Sequence, residues 1–186
     1  MLFHIEVENV RGPEDPQLVI KLLKFVRSKI VIAYISTEIK DCIFKKTSLS
    51  AFGNGSYQIR LYNLTFISNQ KDTAGLLKIL NYRYTNISML ILQNITIHKN
   101  LANSHVLTLQ GIKKIYISYS SMHNIRGKVM LINSCLHVFI TYVKVANITQ
   151  NERFPRVTAA VFNLDEVHKL TVQHLMLNSI EGTGFK

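Results

Sequence analysis

The sequence contains few of the residues on which catalytic and metal sites usually depend. Its 186 residues include two cysteines, three prolines, no tryptophan and only 11 acidic residues, against 22 lysines and arginines. The absence of a CxxC pair excludes a zinc-finger signature, and the shortage of carboxylates leaves few candidates for acid–base catalysis. What the sequence does have is a 47% share of hydrophobic residues and a formal charge of +11, which exclude a disordered chain and an acidic tail.

Long hydrophobic runs are also missing. The stretch 129–143 has no charged residue, but it includes polar residues and is shorter than the roughly 18 residues of a membrane-spanning helix. From Met1 to Glu8, apolar and polar residues alternate, so the basic and continuous apolar regions of a signal peptide are absent. We therefore expect a cytosolic protein, or a piece of a longer chain whose leader is missing. Cys42 and Cys135 are expected to be buried free thiols, with one long-range disulfide as the alternative.

One hydrophobic pattern, h-x-h-x-x-h-x-h with h apolar, recurs along most of the chain. It is complete in Ile59-Leu61-Leu64-Phe66 and again in Leu90-Leu92-Ile95-Ile97. Further copies, some missing one apolar residue, start 23 to 32 residues apart, and such spacing indicates a solenoid. These copies are Ile5-Val7-Val10, Ile30-Ile32-Ile35, Ile115-Ile117-Met122, Val138-Ile140-Val143-Val145 and Leu170-Val172-Leu175-Leu177.

Each half of the pattern predicts a short β-strand, because alternate residues of a strand point to the same side. The two residues between the halves reverse this alternation and therefore form a bend. A third apolar segment precedes several copies, at 107–109, 130–132 and 162–164. Three strands per repeat, each paired with its equivalent in the next repeat, predict an all-β parallel β-helix of about seven coils in one domain, 1–186. Residues 16–27 are interpreted as a short helix or as the third strand of an early coil.

With its two-residue bend, the pattern resembles the pectin-lyase-like superfamily over residues 3–180. The resemblance implies a single-stranded, right-handed parallel β-helix with asparagines stacked at the bend. The second bend residue needs a left-handed backbone, which asparagine tolerates better than most residues. We expect Asn63 to stack on Asn94 in such a ladder, and Tyr119 to stack on Tyr142. The whole series at this position is Asn9, Tyr34, Asn63, Asn94, Tyr119, Tyr142 and His174.

A leucine-rich repeat, L-x-x-L-x-L-x-x-N, is the alternative fold. Leu61-Leu64-Phe66-Asn69 and Leu92-Ile95-Ile97-Asn100 both match it. However, every copy has an additional apolar residue two positions earlier, and the second half of each repeat lacks a helical pattern. The sequence therefore favours the β-helix.

The resemblance also implies enzymes that cleave acidic polysaccharides, and these enzymes use clustered carboxylates or carboxylate-bound calcium. The acidic residues of this chain do not repeat at matching positions of adjacent central coils. Asp165 and Glu166 are neighbours and are expected on opposite faces of a strand, whereas a hydrolytic pair must share one face. We therefore predict no catalytic residues, no cofactor and no metal. An inactive or partial polysaccharide lyase or glycoside hydrolase is the alternative.

His98 and His123 are predicted to occupy one outward column on adjacent coils, where their imidazoles can touch. Two imidazoles side by side can bind a metal ion. The neighbours in that column are Ile67 and Ala146, so the sequence supplies no third ligand there. It favours two surface histidines.

Two outward features indicate a binding surface. Ile91, Tyr116 and Phe139 are expected to form an exposed apolar stripe, which indicates a partner unless the chain's own connection 69–75 covers it. Lysines provide a basic surface. Because no nucleic-acid motif is present, acidic glycans or another protein chain are the expected partners. The lysines concerned are Lys113, Lys114, Lys144 and Lys169.

These features predict a non-catalytic scaffold, or an adhesion and glycan-binding module, of a surface or secreted protein. Five Asn-x-Ser/Thr sequons allow glycosylation, and Asn54, in a glycine-containing turn, is the best candidate acceptor. An extracellular location is therefore favoured. Because the ends lack an obvious capping segment, we expect a fragment of a longer solenoid, or a structural unit that assembles through its open ends.

Overall fold

The computed structural model describes residues 18–33, 35–53, 57–67, 76–81, 87–149, 160–181 and 183–185. Every secondary-structure element in this part of the chain is a β-strand, so the predicted all-β class is confirmed. The described segments contain no helix long and apolar enough to cross a membrane. Residues 18–21 and 24–26, for which a helix was one interpretation, form strands.

Thirteen strands follow one another through the described residues. The first six are only 3 to 5 residues long, while several later strands continue through bends. In chain order the strands are β1 (Leu18–Lys21), β2 (Lys24–Val26), β3 (Lys29–Ala33), β4 (Thr37–Lys40), β5 (Ile43–Lys45), β6 (Ser48–Phe52), β7 (Gln58–Ile67), β8 (Leu77–Leu80), β9 (Ile87–Gln110), β10 (Ile112–Ser118), β11 (Ser121–Thr149), β12 (Ala160–Ile180) and β13 (Thr183–Phe185).

The strand pairings of the described residues are parallel and join segments one repeat apart. One line runs through β1, β4, β7, β9, β10, β11 and β12, a second joins β2, β5 and β7, and a third joins β3, β6, β8 and β9. The third line continues where 107–109 pair with 130–132, and these pair with 162–164. These are the predicted third strands. In a leucine-rich repeat, this half of the repeat would not form a strand. The result is a curled parallel sheet that fits a β-helix repeat.

Inward side chains form apolar columns along the stack of strands. In one column each member is at most 5% exposed: Ile20, Ile39, Leu61, Leu92, Ile117 and Ile140. In a neighbouring column, Phe44 stacks between Phe25 and Phe66, with ring centroids 5.1 and 4.6 Å apart. Each such side chain contributes about 1.5–3 kcal/mol on burial. These columns fix which residues face inward, and therefore also which residues form the outer surface.

The register differs from the prediction before residue 59. Ile30 pairs with Leu49, so the segment Ile30-Ile32-Ile35 belongs to the third line of strands and is not an equivalent of Ile59. The residue that pairs with Ile59 is Thr37. The early repeats, from residue 18 to 37 and from 37 to 59, span only 19 and 22 residues. Because they are shorter than the later repeats, the predicted positions of the early copies are displaced along the chain. Some predicted features lie outside the described residues, namely the copy Ile5-Val7-Val10, Asn9, Tyr34, Asn54 and the connection 69–75.

Most of the bends have a left-handed backbone at a residue other than glycine. Asn63 and Asn94 have φ of 52° and 56°, as the reversed alternation requires. Asp41, with φ of 56°, precedes Asn63 at this position. A second line of bends has positive φ at Arg27, Lys46, Asn124, Asn147 and Ser179. A left-handed residue costs about 1–2 kcal/mol, so the packed columns on both sides of each bend must stabilise it.

Candidate functional site

The outward side chains of the first line of strands form a surface that we call the front face. Parallel pairing in register places equivalent side chains one strand spacing apart, about 4.8 Å. Three columns result. The basic column is Lys114, His137 and Lys169, the aromatic column is Ile91, Tyr116 and Phe139, and the polar column is Gln93, Ser118, Thr141 and Gln173.

The aromatic column contains the three residues of the predicted stripe. Tyr116 pairs with Ile91 on one side and with Phe139 on the other. The two rings stack with centroids 4.9 Å apart and 6° between their planes. All three side chains are partly exposed. Because the rings cover each other's faces, a ligand would meet mainly their edges, so the column offers a narrow apolar contact rather than a broad stacking platform.

The basic column brings two of the predicted lysines together around a histidine. Lys114 and Lys169 both pair with His137, which lies between them, and Lys113 is exposed next to Lys114. His137 was not among the residues predicted to bind a partner. Its signal was its position immediately before an inward residue of the repeat, the same position that Lys114 and Lys169 occupy.

Lys144 lies apart from this group. It follows the bend at Tyr142 and pairs with Met176 in β12, so its exposed side chain belongs to the neighbouring face of the sheet. The structure therefore brings Lys114 and Lys169 to the front face, leaves Lys113 exposed next to Lys114 in the sequence, and separates Lys144.

A ladder of amides follows the bend that borders the front face. Asn94 donates from Nδ2 to Oδ1 of Asn63 at 2.8 Å, and Asn63 donates from Nδ2 to Oδ1 of Asp41 at 2.8 Å. Each asparagine side chain of this pair is thus held by its neighbours in the stack. Asn63 and Asn94 both belong to sequons, and their amide nitrogens are engaged in the ladder.

Aromatic rings continue the same line of bends. The rings of Tyr119 and Tyr142 stack with centroids 5.1 Å apart and 8° between planes, and His174 stacks on Tyr142 at 4.4 Å. Both tyrosines are exposed, by 59% and 48%. Their faces are again turned towards each other, so their edges and hydroxyl groups meet the solvent.

A second cluster of polar groups lies on the face beyond this bend. His98 and His123 pair in register, and their Nδ1 atoms are 2.8 Å apart, so the expected contact between the two rings is present. Nδ2 of Asn124 lies 3.4 Å from each Nδ1 atom. Within the described ranges, no group of three or more His, Cys, Asp or Glu residues is placed to hold a metal ion.

An open pocket of about 450 Å³ lies beside the end of the basic column. Ser134 donates from Oγ to Oε2 of Glu166 at 2.6 Å at its rim. Asp165 and Glu166 were expected on opposite faces of an extended strand, but Glu166 has φ of 51° and sits at a bend. The lining residues are Ser134, Leu136, Glu166, Val167 and His168.

His105 is a partly buried histidine that was not predicted from the sequence. Its Nε2 atom is buried and has no hydrogen-bond partner in the described part of the chain. Burial, and secondly the positive charge of Lys128, lower the pKa of His105 from 6.5 to about 4. The two residues pair in register between β9 and β11.

The two cysteines are free and buried, as expected, and the alternative of a long-range disulfide is wrong. Burial raises the pKa of both the Cys42 and the Cys135 thiol. Both thiols therefore stay protonated and unreactive at neutral pH.

The front face is the surface on which the structure combines the greatest number of residues predicted to bind a partner. It has cations, aromatic edges and neutral hydrogen-bonding groups on one rigid sheet. Neither a scan of protein-family models nor searches of curated proteins and of solved structures find a match to this chain, so its function must be argued from these residues.

Proposed function

We propose that the chain is a non-catalytic scaffold whose front face binds acidic glycans, as part of a surface or secreted protein. The observation that carries this proposal is the basic column Lys114–His137–Lys169, which runs beside the aromatic and polar columns. Two lysine side chains on one sheet suit a polymer that carries carboxylate or sulfate groups. The amide and hydroxyl side chains of the polar column can donate to, and accept from, sugar hydroxyls.

We also infer that the fold is a right-handed β-helix of about seven coils, similar to the pectin-lyase-like superfamily. Crossovers between parallel strands of one sheet are right-handed in about 98% of cases. Support for the coil number comes from an inward column in successive register, Leu18, Thr37, Ile59, Leu90, Ile115, Val138 and Leu170.

Binding on the front face is expected to be the sum of weak contacts. An exposed charge pair contributes about 0.2–1 kcal/mol. The formal charge of +11 adds a long-range attraction that acts on any polyanion and is screened by salt. A test must therefore separate the front face from the overall charge.

The test compares two double variants that lose the same charge. Lys114→Ala/Lys169→Ala removes the lysines of the basic column, and Lys45→Ala/Lys144→Ala removes two exposed lysines outside the front face. Binding to polygalacturonate and to heparin is measured by titration calorimetry at physiological salt. Loss of two contacts, about 0.4–2 kcal/mol, raises the Kd about 2- to 30-fold for the front-face variant. The control variant should change much less.

Equal weakening by the two double variants would contradict a front-face site, because the attraction would then depend only on total charge. The same samples also test for catalysis. New reducing or unsaturated sugar ends would support the alternative that the chain is a partial polysaccharide lyase or glycoside hydrolase.

Exposure at the edge of β12 favours a second candidate function, assembly through open ends. Leu170 and Val172 are each 37% exposed, although their partners in β11, Val138 and Ile140, are fully buried. A coil of another β-helix would cover these side chains and pair with the strand edge. Light scattering over a range of concentrations tests this. Assembly is supported if the mass of the wild-type chain grows with concentration while the variant Val172→Lys remains a monomer. A constant monomer mass would contradict it.

A further inference from the structure

His98 and His123 bring two ring nitrogens to one point of the surface. Their Nδ1 atoms are 2.8 Å apart, and their rings are tilted by 46° with centroids 4.3 Å apart. The stacked pairs on the front face and its border are nearly parallel instead, as at Tyr116 and Phe139 with 6° between planes. The tilted arrangement therefore places nitrogen atoms, rather than ring faces, in contact.

We propose that this pair binds a transition-metal ion such as Zn²⁺, Ni²⁺ or Cu²⁺, with Nδ1 of His98 and Nδ1 of His123 as ligands and water at the remaining positions. Imidazole nitrogen is a preferred ligand of these ions. The parallel register holds the two residues about one strand spacing, 4.8 Å, apart at the backbone. The two ligands are thus already close together before the metal ion arrives, and little conformational freedom is lost on binding.

Binding requires only a small opening of the pair. A separation of 2.8 Å corresponds to an N–H···N hydrogen bond, so one imidazole carries its proton on Nδ1 and the other accepts it. Two nitrogens on a tetrahedral ion, with bonds of about 2.0–2.1 Å, lie about 3.3 Å apart. The donor ring must move its proton from Nδ1 to Nε2 through solvent. Both rings then remain neutral, and the metal ion replaces the hydrogen bond.

Asn124 decides how many protein ligands the site has. Asn147 donates from Nδ2 to Oδ1 of Asn124 at 3.1 Å, and this holds the Asn124 amide with its Nδ2 atom towards the two rings, 3.4 Å from each Nδ1. An amide N–H group cannot ligate a cation. A carboxylate at this position would supply a third ligand, so the site is one substitution away from the two-histidine, one-carboxylate set found in many metal proteins.

The decisive variant is therefore a gain of function, Asn124→Asp. Aspartate also tolerates the left-handed backbone, here φ of 57°, so the bend is preserved and both histidines stay in place. The matched control is Ser179→Asp, which makes the same charge change further along the same line of bends, with φ of 53°. We expect Asn124→Asp to tighten binding of Zn²⁺ by about tenfold or more and Ser179→Asp to have a much smaller effect.

Titration calorimetry of the whole chain with Zn²⁺, Ni²⁺ and Cu²⁺ measures the affinity, with Mg²⁺ as the ion that should not bind. Cu²⁺ should bind most tightly of the three. His98→Asn or His123→Asn removes one of two ligands and should weaken binding by more than about tenfold. His174→Asn, which changes a histidine outside the pair, should not. Paramagnetic Ni²⁺ should broaden nuclear magnetic resonance signals around Ile97 and Met122 first.

Three results would overturn the proposal. They are Zn²⁺ affinity that is unchanged in both His98→Asn and His123→Asn, Ni²⁺ broadening centred away from the pair, and no tightening by Asn124→Asp. Circular dichroism checks the fold of each variant. If a histidine variant unfolds, Asn124→Asp still decides the question, because it retains both proposed ligands.

Discussion

The lowered pKa of His105 leads to a specific prediction for stability at acidic pH. In the folded chain, burial and the charge of Lys128 keep His105 neutral until the pH falls to about 4. In the unfolded chain the same imidazole takes up a proton near pH 6.5. Between these two values the unfolded state binds more protons than the folded state. The free energy of unfolding therefore falls as the pH is lowered through this window, and the full contribution is present only above pH 6.5.

The size of this effect follows from the two pKa values. If the imidazole were completely buried, a fall in its pKa from 6.5 to about 4 would correspond to a loss of about 3 kcal/mol in the free energy of unfolding. The imidazole of His105 is only partly buried, so solvent screening reduces the expected loss to about 1–2 kcal/mol. In the variant His105→Phe the ring shape is retained but nothing titrates, so this part of the pH dependence should disappear.

The assay is urea denaturation, followed by circular dichroism at several pH values between 6.5 and 4. Because carboxylates titrate in the same range, the quantity to compare is the difference between wild type and His105→Phe at each pH. His168→Phe, at an exposed histidine, is the matched control. Equal losses of stability in wild type and His105→Phe would refute the reasoning. Lys128→Met should reduce the pH dependence in part, since it removes the smaller of the two causes.

Three further predictions concern the ladder, the core and the thiols. Asn63→Ala should lower the free energy of unfolding by about 1–3 kcal/mol, because it removes two ladder hydrogen bonds and a residue suited to positive φ. Asn63→Gly should cost less, as urea denaturation can show. Phe44→Ala should cost about 3–5 kcal/mol in the same assay, because the ring is fully buried between two other phenylalanine rings. Cys42 and Cys135 should react with a thiol reagent at neutral pH only after unfolding, and rapid labelling of the native chain would contradict their burial.

Much of the fold can be predicted from the sequence after residue 59, because the alternation of strand side chains leaves a direct trace in the pattern. The spacing of the copies placed Tyr116 between Ile91 and Phe139, and the structure has that register. The bend could be predicted as well. Asn63 and Asn94 are residues that tolerate positive φ, and they recur at the position where the alternation reverses.

The early repeats could not be predicted in the same way. Their bends use Leu22, Arg27, Asp41 and Lys46 at positive φ, and none of these residue types except aspartate signals a left-handed backbone. Stacking of coils imposes that conformation, so the information lies in the neighbouring strands and not in the local sequence. Because no residue type identifies these bends in the sequence, the boundaries between the short repeats could not be predicted.

The candidate sites, too, have some features that the sequence predicts and others that it does not. Which residues share a column follows from the repeat, and this placed His98 beside His123. The tilt of their rings and the orientation of Asn124 depend on side-chain rotamers and on a hydrogen bond from Asn147, which no periodicity encodes. The separation of Lys144 from the front face, by contrast, follows from the bend that the repeat predicts at Tyr142.

Each strand pairs with its equivalents one repeat away, and this determines how the effects of separate substitutions on stability combine. A side chain in one column touches the coils directly before and after its own, so the effect of a substitution should fade within that distance. Substitutions several coils apart, such as at Phe44 and Val172, should then have additive free energies. One end of the molecule can therefore acquire or lose a site while the other end keeps its structure, and natural variation can act on each coil almost independently.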